Sequence, residues 1–224
     1  DGFGAAWAAN YHNFSNENMF IPMAYGDTLK EEAKTCDEIY FLDFSVSRQE
    51  ILDLRSLGKK VVVIDHHATA KENLEGLDDC VFDMNHSGAV LTWKYFSPNS
   101  NIVPTILRYI EDGDLYKFEL ENSKEILAVL HNRVERDFYA FNAFQNHLVG
   151  SGYFIKDIIA EGKAIISVQE QYSKLVKKLA QTTRFCGFED TKVVNTHPYK
   201  ISDILHDLAK ESKHGFAVSW FQQP

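Results

Sequence analysis

Four β-branched apolar residues in a row, Val61-Val62-Val63-Ile64, stop at Asp65-His66-His67, and one unit earlier Ile39-Tyr40-Phe41-Leu42 stops at Asp43. Short continuous apolar runs of this kind predict strands buried on both faces, as in a parallel sheet. Between them, Ser47 followed three residues on by Glu50 is a capping box, and it opens a predicted helix over residues 48–57 that Gly58 closes. A third strand is predicted at Cys80-Val81-Phe82, then a helix over residues 87–96 that ends before Pro98. Ahead of these lie a helix start in small residues at 4–9 and a short strand at 20–25. Strands alternating with helices predict an α/β fold whose parallel sheet is covered on both faces.

From Pro104 to about Ala180 the apolar spacing changes to three and four, which predicts helices over residues 106–110, 126–134 and 155–179. The last carries Tyr172, Leu175, Val176 and Leu179 as an apolar stripe and reads as a connector, with Tyr139, Phe141, Phe144, Tyr153 and Phe154 as core of the helical stretch. Residues 191–195, 204–210 and 216–220 then read as strand, helix, strand. The expected organisation is a parallel-sheet domain over residues 1–120, a helical linker over 121–182, and a smaller, incomplete α/β domain over 183–224. The chain reads as an internal piece of a longer protein.

Composition narrows the partners. A chain of 224 residues with 45% hydrophobic content can fill a real core. Its apolar runs fall far short of the roughly 18 residues that argue for a membrane helix, so no membrane partner is expected. Three widely spaced cysteines, Cys36, Cys80 and Cys186, form neither a disulfide framework nor a Cys-rich zinc site, which leads to the expectation of a reducing, cytoplasmic setting. With 32 acidic against 23 basic residues the net charge is −9, a field that repels long polyanions. Short phosphate-bearing ligands stay open, because a bound cation reverses the local sign.

The chemistry concentrates at strand ends. Ligands of open parallel sheets collect at the carboxyl edge. Asp43 and Asp65 close two strands there, Asp1 precedes a helix start, and Asp112 lies in Tyr109-Ile110-Glu111-Asp112-Gly113-Asp114. The plain alternative for any one aspartate is a helix N-cap. Several carboxylates converging on one edge raise one another's pKa unless a cation lies among them, and a carboxylate set with an imidazole suits manganese, iron, zinc or cobalt. The scattered His12, His131, His147, His197, His206 and His214 read as ordinary surface or core residues. His86-Ser87-Gly88 reads as a helix N-cap and also as a phosphate cradle, since helix N-termini favour anions.

Taken in order, Asp1-Gly2-Phe3-Gly4-Ala5-Ala6, Asp43 in Phe41-Leu42-Asp43-Phe44-Ser45, Asp65-His66-His67 and the later Asp112 resemble the motifs of the DHH phosphoesterase superfamily. The resemblance implies a DHH domain, a helical linker and the start of a DHHA1-like substrate-binding domain. It also implies two divalent ions, Mn²⁺ first, with Mg²⁺, Co²⁺ or Zn²⁺ as alternatives. On that resemblance Asp1, Asp43, His66 and Asp112 are metal ligands, Asp43 bridges both ions, and His67 faces the substrate phosphate. Asp65 becomes a supporting partner of an imidazole or of the loop, and Asp114 a supporting acid and rival to Asp112. His86, Ser87 and Gly88, with Asn195 and Ser202 of the second domain, become substrate contacts. Residues 1–224 depart from the family pattern in two places, since they contain neither the His and Asp that it sets upstream of Asp1 nor its GGGH stretch.

The function these features imply is metal-dependent hydrolysis of phosphoesters in short oligonucleotides or nucleotides. The alternatives are a regulatory module that binds a phosphorylated nucleotide without cutting it, a polyphosphate or pyrophosphate hydrolase, and a flavodoxin-like domain with incidental acids. A homodimer is compatible with all of them.

Overall fold

A computed structural model describes every residue except 13, 14, 16, 25, 151, 152, 198–200 and 222–224. The chain is mixed α/β, with one parallel three-stranded sheet and a second, mixed sheet. It divides into two compact units, Asp1–Ile159 and Ala160–Pro224.

The first unit opens with α1 (Gly2–His12), followed by a short 3-10 turn at Glu31–Thr35. Its sheet is built from β1 (Glu38–Leu42), β2 (Lys60–Asp65) and β3 (Cys80–Phe82) in the order β1-β2-β3, all parallel. Connecting them are α2 (Arg48–Ser56) and α3 (Ala68–Asn73). The capping box at Ser47 and Glu50 is formed, and Gly58, at φ 79°, takes the left-handed turn that ends α2.

Strand alternation sends Val61 and Val63 to one face, where they pack with Ile39, Phe41, Ile51, Leu54 and Leu74. Val62 and Ile64 face the other way, onto Leu91 of α4 (Gly88–Phe96). That second face is also where α1 packs against α4, with α5 (Thr105–Asp114) alongside. Two further helices, α6 (Ser123–Arg133) and α7 (Phe138–Val149), pack on α5, so the first unit extends past the boundary expected at residue 120. The expected strand at 20–25 is absent: residues 20–24 carry no regular structure, and residue 25 lies outside the described residues. Pro22 in its middle removes a ladder donor, which fits that outcome.

Helix α8 (Tyr153–Lys178) crosses from one unit into the other. The second unit continues with β4 (Gln181–Phe185), β5 (Phe188–Asn195), α9 (Ile201–Glu211) and β6 (Ala217–Trp220). Strands β4 and β5 form an antiparallel hairpin, and β5 pairs in parallel with β6 after the crossover through α9. The hairpin turn is Cys186-Gly187, with φ 47° and 88°, the two positive values of a type I′ connection. The core of this unit is Val176, Val194, Ile204 and Leu208. Among the described residues no helix is long and apolar enough to cross a membrane.

Candidate metal centre

Register sets the site. Leu42 pairs with Ile64, and Asp65 with Phe82, so Asp43, Asp65-His66-His67 and the loop that follows β3 all emerge at one edge of the sheet. Helix α4 begins at that edge and α1 begins beside it, which brings Asp1 in. Asp43 sits at φ 55°, a left-handed conformation that aspartate tolerates better than most residues. Its backbone is hemmed in by Gly88, where an added Cβ would stand 2.5 Å from the Asp43 carboxylate and 2.8 Å from its Cα. Only glycine fits at position 88 with Asp43 in that place.

Three carboxylates surround one ring nitrogen. His66 Nε2 lies 3.3 Å from Asp43 Oδ1, 3.3 Å from Asp114 Oδ2 and 3.6 Å from Asp1 Oδ2. An imidazole nitrogen carries at most one proton, so it cannot answer three acids. The Asp43 contact is long, and Asp43 Oδ1 is buried without a well-formed hydrogen bond. Asp43 beside it holds the His66 imidazolium above its ordinary range against the opposing effect of burial, with the charges of Asp114 and Asp65 adding to the rise. Burial pushes the Asp114 carboxyl upward, and the nearby Asp43 charge adds to this while His66 opposes it. Asp1, His66 and Asp114 can converge on one ion, as can Asp43, Asp65, His66 and His67, each set with its ligand atoms within 4.8 Å. A buried carboxylate oxygen without a donor, among three acids and one imidazole, fits a divalent cation that accepts mixed oxygen and nitrogen ligands.

The expected assignment of Asp112 is corrected. Asp112 is buried, but its carboxylate accepts the amide hydrogens of Glu119 at 2.9 Å and Leu120 at 3.2 Å, pinning the turn after α5. Residues two apart on a helix point in nearly opposite directions, about 200° apart. Asp114, expected only as a supporting acid, is therefore the one that reaches His66.

The phosphate cradle at His86-Ser87-Gly88 is also corrected, because the amides opening α4 are already taken within the protein. Ser87 N–H donates to Glu111 Oε2 at 3.0 Å, Gly88 N–H to Asp1 Oδ2 at 2.7 Å, Ala89 N–H to Asp1 Oδ1 at 3.1 Å and Val90 N–H to Ser87 Oγ at 3.3 Å. His86 Nδ1 lies 3.0 Å from the same Glu111 oxygen. The helix end that favours anions holds two side-chain carboxylates, and in doing so it orients Asp1 toward His66. Glu111 was not singled out from the sequence; its neighbour Asp112 drew attention instead, and nothing local signals a contact that spans 24 residues to Ser87.

Asp65 lies beneath the cluster, with the amides of the two residues that follow it, His66 and His67, and His67 Nδ1 on its Oδ1. Asn195 and Ser202 belong to the second unit, at the carboxyl end of β5 and in the first turn of α9, both exposed. The aromatic residues expected in the helical stretch divide: Phe141 and Phe144 are buried, Tyr139 and Phe154 are exposed, and the Tyr153 side chain lies outside the described residues.

No family model matches the chain. It is 26% identical over 159 residues to an uncharacterized protein of Acanthamoeba polyphaga mimivirus, an alignment that takes in 64% of this chain and 37% of that protein. The chain thus spans well under half the length of that relative. Among solved structures it is similar to an uncharacterized protein from Helicobacter pylori G27, at a TM-score of 0.39 and 14% identity over 82% of this chain and 67% of that one.

Proposed function

We propose that this chain is a divalent-cation-dependent phosphohydrolase of the DHH type, acting on phosphoesters of short oligonucleotides or nucleotides. The observation that carries the reading is the ring of three carboxylates around His66 Nε2, with a buried Asp43 oxygen left unanswered. Asp1, Asp43, His66 and Asp114 would hold the cation, with Mn²⁺ first among candidates and Asp43 the carboxylate shared with a second ion. When bound, such ions supply charge neutralisation, Lewis-acid polarisation of a phosphoryl oxygen and activation of water near neutral pH.

The protein supplies the placement. The amides of Gly88 and Ala89 hold Asp1, the glycine at 88 leaves room for Asp43, and the end of β2 presents His66 and His67 together. His67 is partly exposed beside the cluster, where its imidazole can contact the oxygens of a phosphoryl group. An acidic protein disfavours long strands and leaves short substrates as the better fit, in a cytoplasmic setting.

Calorimetric titration with Mn²⁺ and turnover assays test the proposal, using dinucleotides, short RNA and DNA, 3′-phosphoadenosine phosphate and polyphosphate as substrates. Wild-type protein should bind Mn²⁺ and cut at least one of them, and Asp43→Asn should weaken both by about 100-fold or more, beyond what outer-shell changes cost. Equal hydrolysis by the variant defeats the mechanism. Tight binding of one compound without turnover would instead identify a regulatory module.

A further inference from the structure

A groove of about 410 Å³ lies between α4 and α5, lined by Lys94 and Arg108, with residues 101–103 as a further wall. That wall is pinned, since the Ile102 carbonyl accepts from Trp93 Nε1 at 2.9 Å and from Ser100 Oγ at 3.2 Å. Within the groove His86 Nδ1 lies 3.0 Å from Glu111 Oε2, and His86 Nε2 lies 2.6 Å from Lys94 Nζ. A carboxylate only accepts and an ammonium only donates, so the neutral ring carries its proton at Nδ1 and accepts from Lys94 at Nε2. Lys94 is thereby held in place with two donors to spare, and Arg108 brings five more. Among the described residues neither cation forms an ion pair with a carboxylate, and Asp83 feels the charge of Lys94 without pairing with it. Glu111 Oε2 is already committed to Ser87 N–H and His86. Two cations thus face one concavity in a protein whose net charge is −9, a local field of the sign that gathers anions.

We propose that Lys94 and Arg108 form a subsite for a second phosphate of the substrate, distinct from the one at the cation cluster, which selects short substrates that carry a terminal phosphomonoester. The donors here are side chains rather than the occupied α4 amides. Adjacent amides tie the groove to the cluster, that of Ser87 donating to Glu111 and that of Gly88 to Asp1. The guanidinium fork and the ammonium together offer charge-assisted donors to several oxygens of one phosphate. Its identity as a substrate phosphate rests on the phosphohydrolase reading, though the anion site itself does not. The plain alternative is a pair of solvated surface cations.

Calorimetric titration of the metal-free full chain with inorganic phosphate tests the site without turnover. Wild type should bind, and Lys94→Gln and Arg108→Gln should each weaken binding by about 10-fold, as loss of a charged hydrogen bond does. Both side chains are exposed, so these variants should fold. Asp43→Asn should leave phosphate binding in place. Absence of binding in wild type overturns the inference, as does binding that ignores both cations or falls equally in Asp43→Asn. Turnover with Mn²⁺ then compares a dinucleotide bearing a 5′-phosphate with the same dinucleotide lacking it. Arg108→Gln should raise KM about 10-fold more for the phosphorylated one, and an equal change in both defeats the subsite. Phosphate held by Lys94 and Arg108 in a protein that cuts nothing defeats the phosphohydrolase reading and leaves the anion site standing. An active enzyme whose KM ignores both residues does the opposite.

Discussion

Strand β2 of the first unit buries five of its six residues, whereas β4 of the second buries none, although each belongs to a three-stranded sheet. The contrast follows from what covers them. Strand β2 is central and parallel, with helices on both faces, while β4 is an edge strand in a hairpin, written in Gln, Thr, Thr and Arg. A strand shielded on both sides carries its terminal residue into low dielectric, where an acid needs donors or a cation to stay charged. At the first sheet Asp65 gathers backbone donors, whereas Asp43 keeps one buried oxygen unanswered. In the second sheet Asn195 ends β5 exposed to water, and no comparable electrostatic demand arises there. Burial of the strand alone does not decide this, since Val193 and Val194 of β5 are buried while Asn195 after them is exposed; what differs is the burial of the end residue itself.

The largest expected effect breaks this contrast at its source. Ile64 is 0% exposed, so Ile64→Ala should cost about 2–5 kcal/mol in urea unfolding of the first unit, and it should also weaken Mn²⁺ binding by loosening the strand that delivers His66. Unchanged Mn²⁺ binding would mean that the cluster does not depend on the strand. Next in size, Asp112→Ala strips the amides of Glu119 and Leu120 of their acceptor and should cost about 1–3 kcal/mol with Mn²⁺ affinity intact. Asp114→Ala should do the reverse, lowering Mn²⁺ affinity without destabilising the metal-free protein. If both variants behave alike, the distinction between these two acids fails. Ser47→Ala removes a formed cap and should cost about 1 kcal/mol. At the other sheet, Thr183→Ala on the exposed strand β4 should stay within about 0.5 kcal/mol, and a larger loss would show that β4 is less exposed than described.

What the sequence disclosed divides along the same physical line. Strand β2, the capping box at Ser47 and the N-cap at Ser87 were legible because their causes lie within a few residues of one another. The strand expected at 20–25 failed because apolar content alone cannot supply a pairing partner. Asp112 and Asp114 could not be separated, since the sequence does not fix the rotation of α5 about its axis, and that rotation alone decides which of two residues about 200° apart faces His66. The α4 amides looked open to an anion because the carboxylates that occupy them, Asp1 and Glu111, come from 87 and 24 residues away. The Cys186-Gly187 hairpin was missed, although a two-residue turn ending in glycine between Thr-rich and Val-rich stretches carried the signal.

The positive φ of Asp43 has a practical side for anyone who reads function from libraries of variants. At that position a valine or isoleucine would disturb the main chain as well as delete the charge, so a dead clone would be uninterpretable. Asparagine keeps both the shape and the tolerance for that backbone, and glycine keeps the tolerance alone. Folded but inactive clones at residue 43 should therefore be drawn almost entirely from these two, and their recovery would trace the main-chain geometry of the site independently of any assay for its chemistry.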